Sequence, residues 1–175
     1  MKKIFYADKT AYPDSIHAVQ HLLALHFGIN NANILKTDNG KPYLQPSNDI
    51  QLFFSISHTK EYLFIVFFDK NIGIDAENLI RHVDYQTIIK KFTPEEQNQI
   101  QSKDDFLRHW IAKESTVKWL GSTLATNWRA LTFINEHMYR NEALLPVFFN
   151  FLQLDTHLVC VCSEDKNIHW EFEKF

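Results

Sequence analysis

Apolar side chains recur at helical spacing in two long stretches of the 175-residue chain. The first begins after the capping residue Asp14 and ends at Phe27, and the next residue is a glycine, a typical helix stop. The second covers roughly residues 104–120 and is also followed by a glycine. Thr93 is followed by a proline and, three residues on, by a glutamate, which predicts a further short helix between the two.

Segments rich in β-branched and aromatic residues account for most of the remaining chain, and they predict strands. These segments lie at 3–7, 51–59, 62–69, 72–77, 129–134, 146–154, 157–163 and 168–172. The breaks after Thr59 and at Asp155 are short enough for hairpins, and residues 38–40 predict a turn. Because helices and strands are partly segregated along the chain, we expect a fold of the α+β class.

The charge balance argues against nucleic acid as the main partner. The chain has 18 basic and 21 acidic residues, a formal net charge of −3, whereas proteins that hold phosphate backbones usually carry a basic surplus. Its four glycines are scattered singly, so it contains neither a dinucleotide-binding motif nor a P-loop. The longest apolar run covers residues 62–68, far short of the roughly 20 residues of a membrane helix, so we expect no membrane partner.

The two cysteines indicate a reducing compartment. Cys160 and Cys162 are two residues apart in an apolar run, so both point to the same face of one predicted strand, which is poor geometry for a disulfide. The first residues of the sequence do not form the apolar core of a secretory signal. We therefore expect buried free thiols and a cytoplasmic protein.

Two carboxylates share one face of the predicted strand at 72–77. Asp75 and Glu77 point to one side, while Ile72 and Ile74 point to the other. Neighbouring carboxylates repel one another unless a cation or solvent screens them, and hard oxygen ligands suit Mg²⁺ or Ca²⁺. A solvent-exposed strand face is the alternative interpretation, and the strand pattern alone leaves it open.

Two charged residues interrupt the apolar face of the long predicted helix. Glu114 and Lys118 fall among Trp110, Ile111 and Val117 on a helical wheel, where charged groups need compensation. They are spaced as an i, i+4 ion pair, which on a surface is worth only about 0.2–0.5 kcal/mol. The apolar neighbours favour a second interpretation, in which the helix faces a polar cleft at this point.

Two further residues are candidates for contacts with phosphate groups. His58 ends an apolar strand row and can donate to a phosphate when it is protonated, although many such histidines only complete a core or its rim. Lys41 directly follows the predicted turn at 38–40, where it is either an ordinary loop charge or an exposed phosphate contact.

Five sequence motifs, taken in their order along the chain, resemble those of the 4′-phosphopantetheinyl transferase family, in particular its Sfp-type single-chain members. The strand pattern G-[IV]-D-x-E and the helix pattern W-x-x-K-E-[SA]-x-x-K are the strongest matches, because they occur together with an S-H motif upstream. The resemblance covers roughly residues 15–163. The matching segments are Gly40-Lys41-Pro42, Phe54-Ser55-Ile56-Ser57-His58, Ile72-Gly73-Ile74-Asp75-Ala76-Glu77, Phe92-Thr93-Pro94-Glu95-Glu96 and Trp110-Ile111-Ala112-Lys113-Glu114-Ser115-Thr116-Val117-Lys118.

The resemblance implies two similar α+β halves, about residues 1–74 and 75–175, related by a pseudo-twofold, with coenzyme A bound between them in a monomer. It implies Mg²⁺ ligands at Asp75, Glu77 and Glu114. It also implies catalytic roles for Asp75, Glu114 and Lys118. The cofactor contacts that it implies are Lys118 and His58 at phosphate oxygens, Lys41 near the nucleotide 3′-phosphate, and Ser57 and Lys113 along the same site.

The implied reaction moves 4′-phosphopantetheine from coenzyme A to a serine of an apo-acyl or peptidyl carrier protein and releases adenosine 3′,5′-bisphosphate. A divalent ion on the pyrophosphate would neutralise charge on the leaving group, and Glu114 could accept the serine proton. Two alternatives stay open. One is a metal-dependent hydrolase of coenzyme A or a holo-carrier, and the other is a non-catalytic module that binds carrier proteins.

Overall fold

Two β-sheets form the centre of the molecule, seen in a computed structural model that describes residues 2–46, 51–123 and 129–175. The helices are α1 (Ser15–Phe27), α2 (Tyr85–Ile89), α3 (Pro94–Gln99) and α4 (Lys103–Leu120). The strands are β1 (Lys2–Asp8), β2 (Ile34–Lys36), β3 (Pro42–Leu44), β4 (Phe53–His58), β5 (Tyr62–Phe68), β6 (Ile72–Asn78), β7 (Leu131–Ile134), β8 (His137–Arg140), β9 (Ala143–Leu144), β10 (Phe148–Leu154), β11 (His157–Ser163) and β12 (Trp170–Lys174).

The larger sheet has the strand order β12-β1-β5-β4, and the second sheet has the order β10-β11-β6. In the larger sheet β1 pairs in parallel with β12, and Lys2 lies opposite Trp170. In the second sheet β6 runs antiparallel to β11, and Asp75 lies opposite Cys160. The short hairpin β2-β3 and the small sheet β7-β8-β9 lie outside these two sheets.

The main core lies between the two sheets. The inner faces contribute apolar side chains from both, including Ile4, Phe64, Val66, Ile74 and Val161. Helix α1 covers the outer face of the larger sheet, and its buried residues join a cluster with β5 side chains. Helix α4 packs against β6 and β11 on the outer face of the second sheet. The result is a layered arrangement of helix, sheet, sheet and helix, a mixed architecture in agreement with the predicted α+β class.

Capping residues explain where the helices begin and end. The Asp14 side chain accepts hydrogen bonds from two backbone N–H groups at the start of α1, and Gly28 ends that helix with φ 68°. Thr93 forms the predicted capping box with Glu96 at the start of α3. Gly121 ends α4 with φ 67°. No helix among the described residues is both long and apolar enough to cross a membrane.

The strand predictions are confirmed for the long elements and incomplete for the short ones. Both predicted hairpins are present, as β4-β5 and β10-β11. The predicted turn at 38–40 joins β2 to β3, two strands that the pattern did not predict, as it also failed to predict α2, β8 and β9. The last strand lies at Trp170–Lys174 rather than 168–172. Elements of two to five residues are too short to show a periodic pattern.

Helix α4 crosses β6 in direct backbone contact at Gly73. A Cβ atom placed on this glycine would lie 1.8 Å from the Ser115 carbonyl oxygen and 2.8 Å from the Trp119 backbone nitrogen. Neither atom is the end of a flexible side chain, so the helix could not accommodate the extra carbon without moving. A glycine inside a strand often marks this kind of close approach.

We predict that Gly73→Ala lowers the free energy of unfolding by about 3 kcal/mol, the upper end of the usual cost of overpacking. Gly28→Ala is the matched control, because its Cβ would meet nothing within 4 Å and only its positive φ resists the change. That control should cost about 1 kcal/mol. Urea denaturation of both variants gives the comparison, and an equal loss in the two would contradict the backbone contact.

Candidate functional site

The contact at Gly73 determines which α4 side chains lie beside β6. Ser115 and Trp119 touch Gly73 through their backbone atoms, so the preceding residues, Glu114 and Lys118, lie next to Asp75. Helix α4 is buried around most of its circumference, and Glu114 and Lys118 are only partly buried. The helix therefore presents these two charged groups on a side that solvent partly reaches.

Three carboxyl groups from β6 and α4 interact electrostatically, and we call Asp75, Glu77 and Glu114 the carboxylate cluster. Burial raises the pKa of Glu114 to about 7, with smaller contributions from the negative charges of Asp75 and Glu77. Burial, and then the charge of Asp75, also raises the pKa of Glu77. Asp75 is only 7% exposed, so this face of β6 is not a solvated strand face.

Asp75 is the most extensively bonded member of the carboxylate cluster. Lys118 Nζ donates to Asp75 Oδ1 at 2.7 Å and to the Ile74 carbonyl oxygen at 2.9 Å. Ser57 Oγ donates to the same Asp75 oxygen at 2.9 Å. Lys118 is therefore bonded to β6. These bonds are not those of a surface i, i+4 ion pair between Glu114 and Lys118.

Glu77 pairs with Arg81, a residue that the sequence analysis did not single out. Arg81 Nη1 lies 3.0 and 3.3 Å from the two Glu77 carboxylate oxygens. The Arg81 side chain is 60% exposed, so this pair contributes little to stability and can open at small cost. Glu77 can therefore exchange its partner for another cation.

The donor atoms of the carboxylate cluster suit a hard divalent cation, but their placement is not that of a formed metal site. Across residues 2–46, 51–123 and 129–175, no group of three or more His, Cys, Asp or Glu side chains is arranged to hold a metal ion. The Glu114 carboxyl has no hydrogen bond to another described residue, and burial, together with repulsion from Asp75 and Glu77, raises its pKa. An added cation would relieve that repulsion, so the chemistry of the cluster fits Mg²⁺.

Lys41 stands beside the C-terminal end of α4, at the edge of a cavity of about 760 Å³. Its Nζ donates to the Lys118 carbonyl oxygen, and burial lowers the pKa of Lys41 to about 8. Lys41 is therefore not a freely solvated loop charge. Apolar and aromatic groups form much of the cavity wall, including Tyr43, Leu52, Phe53, Phe54 and Trp119.

His58 occupies the other flank of the carboxylate cluster. It is exposed at the end of β4 and lines a second cavity, of about 580 Å³, together with Glu77 and Arg81. Lys9 and Lys60 also line this cavity. The structure thus brings His58 near one member of the cluster and places several positive charges around the opening.

The structure does not bring Lys113 to the carboxylate cluster. The Lys113 side chain is fully buried, and its Nζ lies 2.9 Å from the Glu96 carboxylate and 4.7 Å from the centre of the Phe92 ring. Because successive helix residues are about 100° apart, Lys113 points away from the side that Glu114 occupies. Ser57, in contrast, lies at the carboxylate cluster, where its buried hydroxyl donates to Asp75.

Glu96 is a buried charged residue whose contacts the sequence predicted only in part. Its role at the start of α3 was predicted, and the structure adds bonds to two other elements. Its carboxylate accepts from Lys113 on α4, from the backbone N–H of Phe133 on β7 and from that of Thr93. Nothing in the local pattern indicates these distant partners, although burial of a lysine inside α4 requires a counter-charge.

Comparison with known proteins gives a family match and a similar relative. The model of the 4′-phosphopantetheinyl transferase superfamily matches residues 71–175, a region that contains the carboxylate cluster and Lys118. The 4′-phosphopantetheinyl transferase gsp of Aneurinibacillus migulanus is 33% identical over 101 residues. That alignment covers 53% of this chain and 40% of the relative, so the chain matches less than half of the relative's length.

We predict that Glu96→Gln lowers the free energy of unfolding by about 3–5 kcal/mol, because the buried Lys113 would lose the carboxylate with which it pairs. Glu95→Gln is the matched control, since Glu95 is the exposed neighbour on the same helix and should change stability by less than about 0.5 kcal/mol. Both values follow from chemical denaturation at neutral pH. Similar small losses in the two variants would show that the pair does not stabilise the fold.

A second prediction concerns pH. Glu114 has a folded pKa of about 7 against an ordinary value of 4.5, so the folded state binds its proton more tightly than the unfolded state does. Its contribution to stability is complete below pH 4.5 and is lost as the pH rises to about 7. Glu114→Gln cannot ionise and should be more stable than the parent at pH 8 by about 1–2 kcal/mol, after discounting for solvent access.

This pH comparison requires urea denaturation at several pH values with divalent cations removed by a chelator. The stability difference between Glu114→Gln and the parent should grow between pH 4.5 and 7. Glu95→Gln should show no such growth. Parallel curves for the parent and Glu114→Gln would contradict the raised pKa.

Proposed function

Because the chain belongs to the 4′-phosphopantetheinyl transferase superfamily, we propose that it transfers 4′-phosphopantetheine from coenzyme A to a serine of an apo-carrier protein. The other product is adenosine 3′,5′-bisphosphate. The observation that carries the proposal is the convergence of Asp75, Glu77 and Glu114 beside Lys118, within the region that matches the family.

We also propose the subfamily, cellular location, oligomeric state and internal symmetry of the enzyme. It is an Sfp-type member, a cytoplasmic monomer whose halves, about residues 1–74 and 75–175, are related by a pseudo-twofold. The placement of α1 on the larger sheet and α4 on the second sheet supports this description. In such an arrangement one chain supplies both walls of the substrate cleft.

Asp75, Glu77 and Glu114 would hold Mg²⁺ at the coenzyme A pyrophosphate. When bound, the ion would neutralise negative charge on the departing bisphosphate. The hard oxygen donors, the raised pKa values of Glu77 and Glu114 and the weak Glu77–Arg81 pair support this assignment. Glu77 would give up Arg81 in order to bind the ion.

Glu114 is the candidate for the group that accepts the proton of the carrier serine, either directly or through a water molecule. The other two carboxyl groups are engaged with Lys118 and Arg81. Glu114, without a hydrogen bond to any described residue, is the member of the cluster most able to take up a proton.

The basic residues would bind the phosphates of coenzyme A. Lys118 is held beside Asp75 with 28% of its side chain exposed, so its ammonium can reach a phosphate oxygen while the Asp75 pair persists. His58 lies at the open flank of the cluster. Lys41 borders the cavity of about 760 Å³, a volume that suits a nucleotide, and would contact the 3′-phosphate there. The buried Lys113 takes no part in this proposal.

The decisive experiment combines the protein with Mg²⁺, coenzyme A and a panel of apo-carrier proteins, and mass spectrometry detects added phosphopantetheine. Asp75→Ala and Glu114→Gln should each lower the labelling rate by at least about 100-fold, the usual loss when a group that stabilises the transition state is removed. Glu95→Gln serves as the control, and circular dichroism shows that each variant is folded. A variant that labels at the parental rate would remove its residue from the proposed site.

The same assay distinguishes the alternatives. Release of bisphosphate from coenzyme A without a carrier protein indicates a hydrolase, and carrier binding without labelling indicates a non-catalytic module. Chelation of divalent cations should abolish transfer, and added Mg²⁺ should restore it. Full activity in the presence of the chelator would overturn the proposed metal dependence.

A further inference from the structure

Two serines on β4 join the two sheets at their adjoining edges. Ser55 and Ser57 are 4% and 5% exposed, and they are two residues apart, so both point to the same side of β4. The backbone N–H of Ile74 donates to Ser55 Oγ at 3.1 Å, and that of Ala76 donates to Ser57 Oγ at 3.2 Å. The two hydroxyls thus bind equivalent backbone groups on β6, one on each side of Asp75 in the sequence.

Only one of the two hydroxyls also bonds the carboxylate cluster. Ser57 Oγ accepts from Ala76 and donates its own proton to Asp75 Oδ1 at 2.9 Å. A hydroxyl has a single proton, so its acceptance of the backbone N–H directs that proton toward the carboxylate. Among the described residues, Ser55 has no such bond to an acidic side chain. This difference separates a structural serine from one that orients Asp75.

The bond from Ser57 determines which Asp75 oxygen is left for a ligand. Ser57 and Lys118 both donate to Oδ1, at 2.9 and 2.7 Å. In the described part of the chain, the hydrogen bonds that this carboxylate accepts all use Oδ1, which leaves Oδ2 available. Two donors on one oxygen fix the rotation of the carboxylate, and hydrogen bonds to an ionised group are stronger than neutral ones.

We propose that Ser57 is a positioning residue that orients Asp75 through this hydrogen bond and does not contact coenzyme A itself. The inference rests on the proposed function, in which Asp75 binds the cation at the pyrophosphate. It also differs from the family resemblance, which placed Ser57 among the cofactor contacts. Residues that orient a metal ligand typically contribute about 10- to 100-fold to activity or metal affinity.

The test compares Ser57→Ala with Ser55→Ala, a matched pair because each loses one buried hydroxyl and one bond from a β6 backbone N–H. Ser57→Ala should lower kcat about 10- to 100-fold and leave the KM for coenzyme A within about twofold. Ser55→Ala should leave both parameters within about twofold. Ser57→Thr retains the hydroxyl and should recover most of the lost kcat.

A second measurement does not depend on catalysis. A double-mutant cycle of Ser57→Ala with Asp75→Ala, followed by urea denaturation without divalent cations, should give a coupling of about tenfold in the unfolding equilibrium constant. The corresponding cycle of Ser55→Ala with Asp75→Ala should give less than twofold. This arm reports on the Ser57–Asp75 bond even if the parent protein transfers nothing.

The outcomes separate the two claims. If the parent protein labels no carrier but the Ser57–Asp75 cycle gives tenfold coupling, the proposed function is contradicted and the hydrogen bond from Ser57 to Asp75 is confirmed. A rise in the KM for coenzyme A with unchanged kcat in Ser57→Ala would show a direct cofactor contact and overturn the inference. Equal kcat losses in the two serine variants, or equal couplings in the two cycles, would also overturn it.

Discussion

The closeness of helix α4 to strand β6 is the constraint on which the rest of the site depends. Gly73 has no side chain, so the backbone of α4 lies directly on the strand around Ser115 and Trp119. At this distance the short side chain of Asp75 reaches Lys118, and Glu114 interacts electrostatically with both β6 carboxylates. A wider separation would break the ion pair of Asp75 with Lys118 and weaken the electrostatic interaction of Glu114 with β6.

Adjacent residues of α4 serve different purposes because they point in different directions. Lys113 is fully buried and neutralised by Glu96, in a pair that connects α3, α4 and β7. The next residue, Glu114, faces a side open to solvent and keeps an excess of negative charge around it. The helix is thereby anchored on one side by a closed ion pair, and its other side retains charge that a ligand can satisfy.

Much of this arrangement follows from local patterns, and the remainder depends on distant contacts. The caps at Asp14 and Thr93 predict helix starts because they satisfy backbone groups of their own helix. Strand alternation places Asp75 and Glu77 together for the same local reason. The position of Lys113 was not predictable in this way, because a helical wheel assumes one buried face and α4 is buried on several. The double role of Ser57 likewise depends on which strand edge lies opposite β4.

The parallel pairing of β1 with β12 has a consequence for the order of folding. On the ribosome β1 is made long before β12, so one edge of β1 stays without this neighbour until residues 170–174 have been synthesised. Contacts between such distant segments slow folding and leave the nascent larger sheet open to pairing with other chains. The late synthesis of Trp170, which packs into the core between the sheets, therefore completes both that core and the larger sheet.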